Sequence, residues 1–224
     1  DGVKGMEKAF EVVPDLIICD IMLPKKSGIS VATMLKNDLR TSHIPIILLT
    51  ARDSMEQKIE GIKTGADEYI TKPFVFDFMC EKIKTLIRNR EMLKEHYSYD
   101  LNIETPSMSP GHLDRKFINE FKSYIEENIG NADLNVNEIA RELGMSRVQV
   151  YRKVKALLGF SVNDYLVTVR LKKAKSLLAQ SDASVGEIAQ EVGFSSAAYF
   201  STLFKKKFKF SPKEYKASKT DLGS

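Results

Sequence analysis

Three side chains of this 224-residue sequence close short apolar runs and carry complementary chemistry: Asp20 after "LIIC", Thr50 after "IILL" and Lys72 after "EYIT". A carboxylate, a hydroxyl and an ammonium converging on one rim make a site for a transferable phosphoryl group. The carboxylate attacks, while the hydroxyl and the ammonium bind the resulting oxygens. Singly they say little, because Asp and Thr often end strands through turn chemistry. A phosphatase-type nucleophile would occupy the same place on a similar sheet, but that chemistry wants a second acid two residues on, where Met22 stands.

Convergence requires that the three runs be neighbouring strands. "PDLIICDIMLP" (14–24) and "IPIILLTA" (44–51) are nearly continuous apolar runs, the pattern of strands buried on both faces of a parallel sheet. "EYIT" (68–71) is a third, shorter strand. "SGISVATMLKND" reads as a helix between the first two, and further helices are expected at 54–64 and 76–94. Strand alternating with helix predicts a doubly wound α/β fold with its chemistry at the carboxyl ends of the strands.

With "KPF" and "GADEYI" in place, residues 1–95 resemble the response-regulator receiver domain, a flavodoxin-like fold. The resemblance implies Asp20 as phosphoacceptor, Thr50 and Lys72 as phosphate-sensing partners, and Tyr69 as an aromatic switch on the last strand. The plain alternative for Tyr69 is an ordinary edge-strand aromatic. It also implies that Asp20 and the backbone carbonyl of Met22 contribute to a Mg²⁺ site, and that a cis peptide bond precedes Pro73. Receivers complete that metal site with an acidic pair at the end of their first strand. Here "DGVKGMEKAFEVVPD" matches the loop and helix that follow the second strand. The expectation is therefore an incomplete parallel sheet lacking its first two strands, without the acidic pair. In the expected order 2-1-3-4-5, "LIICD" becomes an exposed edge inviting dimerisation. Either the chain is a piece of a longer polypeptide or it is a natural degenerate receiver; retention of Asp20, Thr50, Tyr69 and Lys72 favours the former. On this reading Mg²⁺ is a cofactor of an intact receiver and is not expected to bind here, nor is the chain expected to accept phosphate efficiently.

The second half says nearly the same thing twice. "EIARELGMS" (138–146) returns as "EIAQEVGFS" (187–195), forty-nine positions later, with Tyr151 and Val154 answered by Phe200 and Leu203; "FSVNDY" (160–165) returns as "FSPKEY" (210–215) at an offset of fifty. Each copy reads as helix, tight turn, helix. In the first, Asn135 or Asn137 caps a helix burying Ile139, Ala140 and Leu143, Gly144 ends it, and Ser146 caps the next. Val150, Val154 and Leu157 form one apolar stripe, leaving Arg147, Gln149, Arg152, Lys153 and Lys155 off the core. The second copy repeats the device with Ile188, Ala189, Val192, Gly193 and the cap Ser195.

Charge is unevenly divided. Residues 114–224 hold 19 Lys+Arg against 13 Asp+Glu, a net +6, while the preceding residues carry −2. Excess positive charge beside helix-turn-helix units is the footprint of a phosphate-backbone partner, although two helical hairpins with a solvated lysine face would share the pattern.

Residues 114 to about 217 resemble the AraC-type DNA-binding domain, two helix-turn-helix units joined by a long helix, here "VNDYLVTVRLKKAKSLL" (162–178); "VGFSSAAYFSTLFKKKFKFSPKEY" carries the second unit. The resemblance implies that both recognition helices enter successive major-groove segments on one face of double-stranded DNA. Carried over by position, Arg147, Val148, Gln149, Tyr151, Arg152 and Lys153 face DNA from the first unit, with Arg152 the strongest base reader. Ser196, Ala197, Ser201 and Thr202 do so from the second. They are short and neutral, and many relatives carry an arginine at the position of Thr202. Lys205 and Lys206, with Lys207 and Lys209, are expected on phosphates.

The expected plan is thus α/β plus all-α: a partial receiver at 1–95, a linker at 96–113 and the DNA-binding domain at 114–224. Its coupling resembles the output end of hybrid two-component systems, in which a histidine kinase shares the polypeptide; a free-standing response regulator is the alternative. This implies a non-enzymatic, phosphorylation-controlled transcription regulator, an activator, with a cognate histidine kinase, a second copy of the chain and RNA polymerase as partners. A phosphorylation-independent regulator is the runner-up, and a module binding an acidic protein a third reading. Two cysteines, Cys19 and Cys80, do not suggest a disulfide framework, and His43, His96 and His112 show no metal spacing. With no apolar run of membrane length, a cytoplasmic protein is expected, its parent compatible with an inner-membrane anchor.

Overall fold

The computed structural model describes residues 1–51, 65–99 and 111–220; the helix expected at 54–64 lies outside them. The chain divides into two compact units, Asp1–Asn119 with Met145–Phe160, and Glu120–Gly144 with Ser161–Ser224.

In the first unit, α1 (Gly2–Val12) starts under the Asp1 side chain, which accepts the Lys4 N–H at 3.0 Å, and ends where Val13 turns left-handed at φ 42°. β1 (Ile17–Asp20), α2 (Gly28–Lys36, capped by Ser27), β2 (Ile46–Thr50), β3 (Glu68–Thr71) and α3 (Phe76–Tyr99) follow. The three strands form a parallel sheet in the order β1-β2-β3. Ile46, Ile47 and Leu48 of the central strand are fully buried, as a run apolar on both faces demands. α1 and α2 cover one face with Ala9, Val31, Ala32 and Leu35. The strands are shorter than the apolar runs because the flanking residues turn: Ile21 and Leu23 carry the chain from the rim into α2. The tightest approach there is at Gly28, where any Cβ would run into the Asp20 carbonyl, so glycine lets α2 begin against the end of β1. Among the described residues β1 pairs only with β2, and a groove of about 390 Å³ lined by Gly5, Ala9, Val12, Ile17, Ile18 and Leu35 runs beside it.

The same unit holds α6 (Arg147–Leu158), reached through α4 (His112–Glu127) and α5 (Val136–Glu142). Ser146 and Gln149 close a capping box on α6, and Gly159 ends it at φ 77°. Its buried residues are Val150, Lys153, Val154 and Leu158; the stripe therefore runs to Leu158, with the predicted Leu157 half-buried.

The second unit holds α5 and, after the connector α7 (Val162–Gln180), α8 (Val185–Glu191), α9 (Ala197–Phe208) and α10 (Pro212–Thr220). Its core gathers Leu171, Ala174 and Leu178 of α7, Ile188 and Ala189 of α8, and an aromatic series in which Phe194, Phe200, Phe204 and Phe208 follow one another at 4.6–5.6 Å. Burying each ring contributes about 1.5–3 kcal/mol. Capping is again explicit, with Ser184 and Glu187 forming a box on α8.

The helix bounds correct the register of the repeat. α8 repeats α5 at an offset of forty-nine, but α9 repeats α6 at fifty. The extra residue sits in the second turn, so the cap of α9 is Ser196 rather than Ser195. The equivalents of Val150, Val154 and Leu158 are then Phe200 and Phe204, both buried, and Phe208, half-buried, and Tyr151 answers to Ser201.

Candidate functional site

The sheet delivers Asp20, Thr50 and Lys72 to one edge by register. Asp20 is paired with Leu49, one residue short of Thr50; Thr50 is paired with Thr71, and the Lys72 N–H donates to the Thr50 carbonyl at 2.7 Å. The Lys72 ammonium makes an ion pair with Asp20 Oδ2, and the Met22 N–H donates to Asp20 Oδ1 at 3.1 Å. The hydrogen bond from Lys72 holds the Asp20 carboxyl below the usual carboxylate range, the Met22 N–H helping and partial desolvation opposing. Both groups are partly solvent-exposed, so the carboxylate is ionised and reachable. Thr50 is buried and Tyr69 half-buried; Tyr69 pairs with Leu48, two residues before Thr50 on the same face. The Lys72–Pro73 bond is cis. Cys19, directly behind Asp20, is buried, and burial followed by the Asp20 charge pushes its thiol up, away from nucleophilic use.

The donor set is poor for a divalent cation. Asp20 brings one carboxylate already engaged by Lys72, and among the described residues no group of three or more His, Cys, Asp or Glu could hold a metal ion.

The residues expected to face DNA fall into two sets. On α6, Arg147, Val148, Tyr151 and Arg152 are exposed and Gln149 is half-buried. Two of them have acceptors within the first unit: Gln149 Nε2 donates to the Phe10 carbonyl at 3.2 Å, and Arg152 Nη1 to the Val13 carbonyl at 2.9 Å. Lys153 departs from expectation. It is fully buried, its ammonium 2.6 Å from Asp114 Oδ1 and 2.9 Å from Ser42 Oγ, so it offers no charge to a partner in this arrangement. The reason is its place on the helix, one residue before Val154 and three after Val150, on the edge of the buried stripe.

On α9, Ser196, Ala197 and Thr202 are exposed and Ser201 half-buried. The hydroxyls of Ser201 and Thr202 donate to the Ala197 and Ala198 carbonyls of their own helix, at 2.8 and 3.0 Å. Lys205, Lys206 and Lys209 are exposed at the far end, whereas Lys207 reaches Thr168 of α7 at 3.1 Å. Sequence reasoning missed Tyr199, 57% exposed at the position answering to Gln149. The offset of fifty would have found it.

Two family models match the chain: the response regulator receiver domain over residues 1–84 and a helix-turn-helix domain over 139–218. Over 215 residues the chain is 35% identical to "Histidine kinase P4" of Formosa agariphila, a match covering 96% of this chain and 16% of that protein. It is 49% identical over 75 residues to the phosphate regulon transcriptional regulatory protein PhoB of Pseudomonas aeruginosa, covering 34% and 33% of the two chains. Among solved structures, the C-terminal domain of the two-component response regulator yesN from Fusobacterium nucleatum aligns with 31% identity and a TM-score of 0.44, covering 45% of this chain and 98% of that one. The chain thus spans about a sixth of the first of these proteins and a third of the second.

Proposed function

The chain joins a response-regulator receiver domain to an AraC-type helix-turn-helix domain, and from that premise we propose that it is a phosphorylation-controlled, sequence-specific transcription activator. The observation that supports this best is the duplicated device of α5, turn, α6 and α8, turn, α9, each second helix capped by a serine. Arg147, Gln149 and Arg152 would read bases from α6. Tyr199 and Thr202 would touch the groove from α9, and Lys205, Lys206 and Lys209 would hold phosphates. Base reading is then stronger from α6, while α9 reads fewer bases and also sets register.

Control would start at the rim. One Asp20 oxygen forms a bond to the phosphorus of a donor while the bond to the leaving group breaks and its electron pair departs with that group. Lys72 shifts from the carboxylate to the new phosphoryl oxygens, and Thr50 takes another. The first unit suggests what the switch changes: while Gln149 and Arg152 donate to the Phe10 and Val13 carbonyls, their donors are withheld from base edges. A regulator of this plan takes its phosphoryl group from a histidine kinase, works beside RNA polymerase as a homodimer, and belongs in the cytoplasm. No helix among the described residues is long and apolar enough to cross a membrane.

The test is a duplex selected from a random pool by the chain, titrated beside a scrambled duplex at several salt concentrations. Binding should weaken steeply with salt yet keep a preference of about 10³-fold or more for the selected duplex. Equal affinity for both duplexes would favour a basic surface for an acidic partner instead.

A further inference from the structure

The second turn of the repeat is built around a side chain to which neither the motif nor the family match assigns a task. Arg170, midway along α7, is only 7% exposed. Its Nε donates to the Ile129 carbonyl at 3.2 Å and its Nη2 to the Asn131 carbonyl at 2.5 Å. Those carbonyls follow the C-terminus of α4, where the helix dipole favours a cation, and they precede Asn135, the cap of α5.

The turn between α8 and α9 lies on the same guanidinium. Gly193 has φ +84°, and a Cβ there would meet the Ile129 carbonyl, with Arg170 Nη2 at 2.8 Å and Cζ at 2.9 Å. The approach is reciprocal, because a Cβ on Gly130 would lie 2.9 Å from the Glu191 carbonyl at the end of α8. Next in the turn, Phe194 places its ring 5.9 Å from the Arg170 Cζ and passes the contact to α9 through Phe200 at 5.2 Å. Among the described residues the first copy shows no such packing: Gly144 also has positive φ, at +61°, but a Cβ there meets none of their atoms within 4 Å. Packing a glycine on a guanidinium is therefore not a demand of the turn itself.

We propose that Arg170 is the positioning residue of the second helix-turn-helix unit, bolting the α8–α9 turn to segment 129–131 and so fixing the direction in which α9 meets DNA. Ser196, Ala197 and Tyr199 follow this turn directly, and the lysines lie at the opposite end of a 12-residue helix. Such a helix is about 18 Å long, so a tilt of about 10° at its start moves the far end by about 3 Å, more than a lysine–phosphate hydrogen bond tolerates. Two diverging donors are needed to hold two carbonyls, which a guanidinium has and a single ammonium reproduces poorly.

The inference rests on the DNA-binding reading, and the test separates the two. The full chain, with Arg170→Met and Arg170→Lys variants, is titrated against the duplex it selects and against versions with either half-site scrambled. Arg170→Met should lose about 30-fold on the intact duplex. Scrambling the half-site read by α9 should then cost it almost nothing more, while scrambling the other should cost it as much as it costs the parent chain. Arg170→Lys should fall in between. A loss spread equally over both half-sites, or no loss, overturns the positioning role. If Arg170→Met does not fold, Arg170→Lys carries the test with an expected loss of about 3- to 10-fold confined to the same half-site. A parent chain that selects no duplex over scrambled DNA defeats the DNA-binding reading itself, and the inference with it.

Discussion

Replacing Lys153 by methionine should damage the first unit severely while leaving phosphate recognition untouched. The ammonium is fully buried, 2.6 Å from Asp114 Oδ1, 2.9 Å from Ser42 Oγ and 5.2 Å from the centre of the Phe117 ring; Ser42 Oγ in turn donates to Asp114 at 2.7 Å. Lys153→Met keeps most of the apolar stem and deletes only the charge, stranding a carboxylate whose side chain is 8% exposed. Breaking one side of such a pair costs about 3–5 kcal/mol, whereas replacing both partners by apolar groups is near neutral. At about 1.4 kcal/mol per tenfold, hydrogen exchange of the α6 amides should accelerate by about two to four powers of ten in Lys153→Met. In Lys153→Met/Asp114→Leu it should return to within about tenfold of the parent. An acceleration below tenfold in the single variant, or a double variant no better than the single, would refute the reasoning. The salt dependence of DNA binding gives a second arm: Lys205→Ala and Lys206→Ala should each lower the log–log slope by about 0.9, and Lys153→Met should leave it unchanged.

Other consequences are simpler to check. Gly144→Ala should cost about 1–2 kcal/mol from its left-handed backbone alone, and Gly193→Ala about 1–3 kcal/mol more, because it also collides with Ile129 and Arg170; denaturant midpoints separate them. The Asp20 carboxyl, followed by NMR, should titrate below its ordinary value of 3.8 and move back up in Lys72→Ala. Because its value is depressed in the fold, the Asp20–Lys72 pair is fully formed above the ordinary value and is lost as pH falls through the lowered one. Ser146→Ala and Ser184→Ala remove capping boxes and should each cost about 1 kcal/mol of helix stability.

Much of this was readable from residue types. Two continuous apolar runs and "EYIT" gave three parallel strands because a strand buried on both faces has no polar alternation to show, and the residues closing those runs are the ones on the rim. Asn135, Ser146, Gly144 and Gly193 announced both turns through capping and positive-φ chemistry. What sequence reasoning misplaced depended on long-range partners. Lys153 was placed off the core, facing DNA, because its partners, Asp114 and Ser42, lie 39 and 111 positions away. The acceptors of Gln149 and Arg152 are backbone carbonyls, which carry no residue signature at all. Arg170 stands beside the lysines of α7 with nothing in its sequence neighbourhood to single it out, because the two carbonyls it holds and the glycine lying on it are 23 to 41 positions away. The repeat itself was visible, but its one-residue insertion was placed too late, which shifted Ser196 and hid Tyr199.

The central claim is that the two helix-turn-helix units read one duplex together, and hydroxyl-radical footprinting on the selected duplex tests it directly. Two protected segments about one helical turn apart, on the same face, are expected, with Arg152→Ala erasing base discrimination in only one of them. A single protected segment, or uniform protection insensitive to sequence, would contradict it.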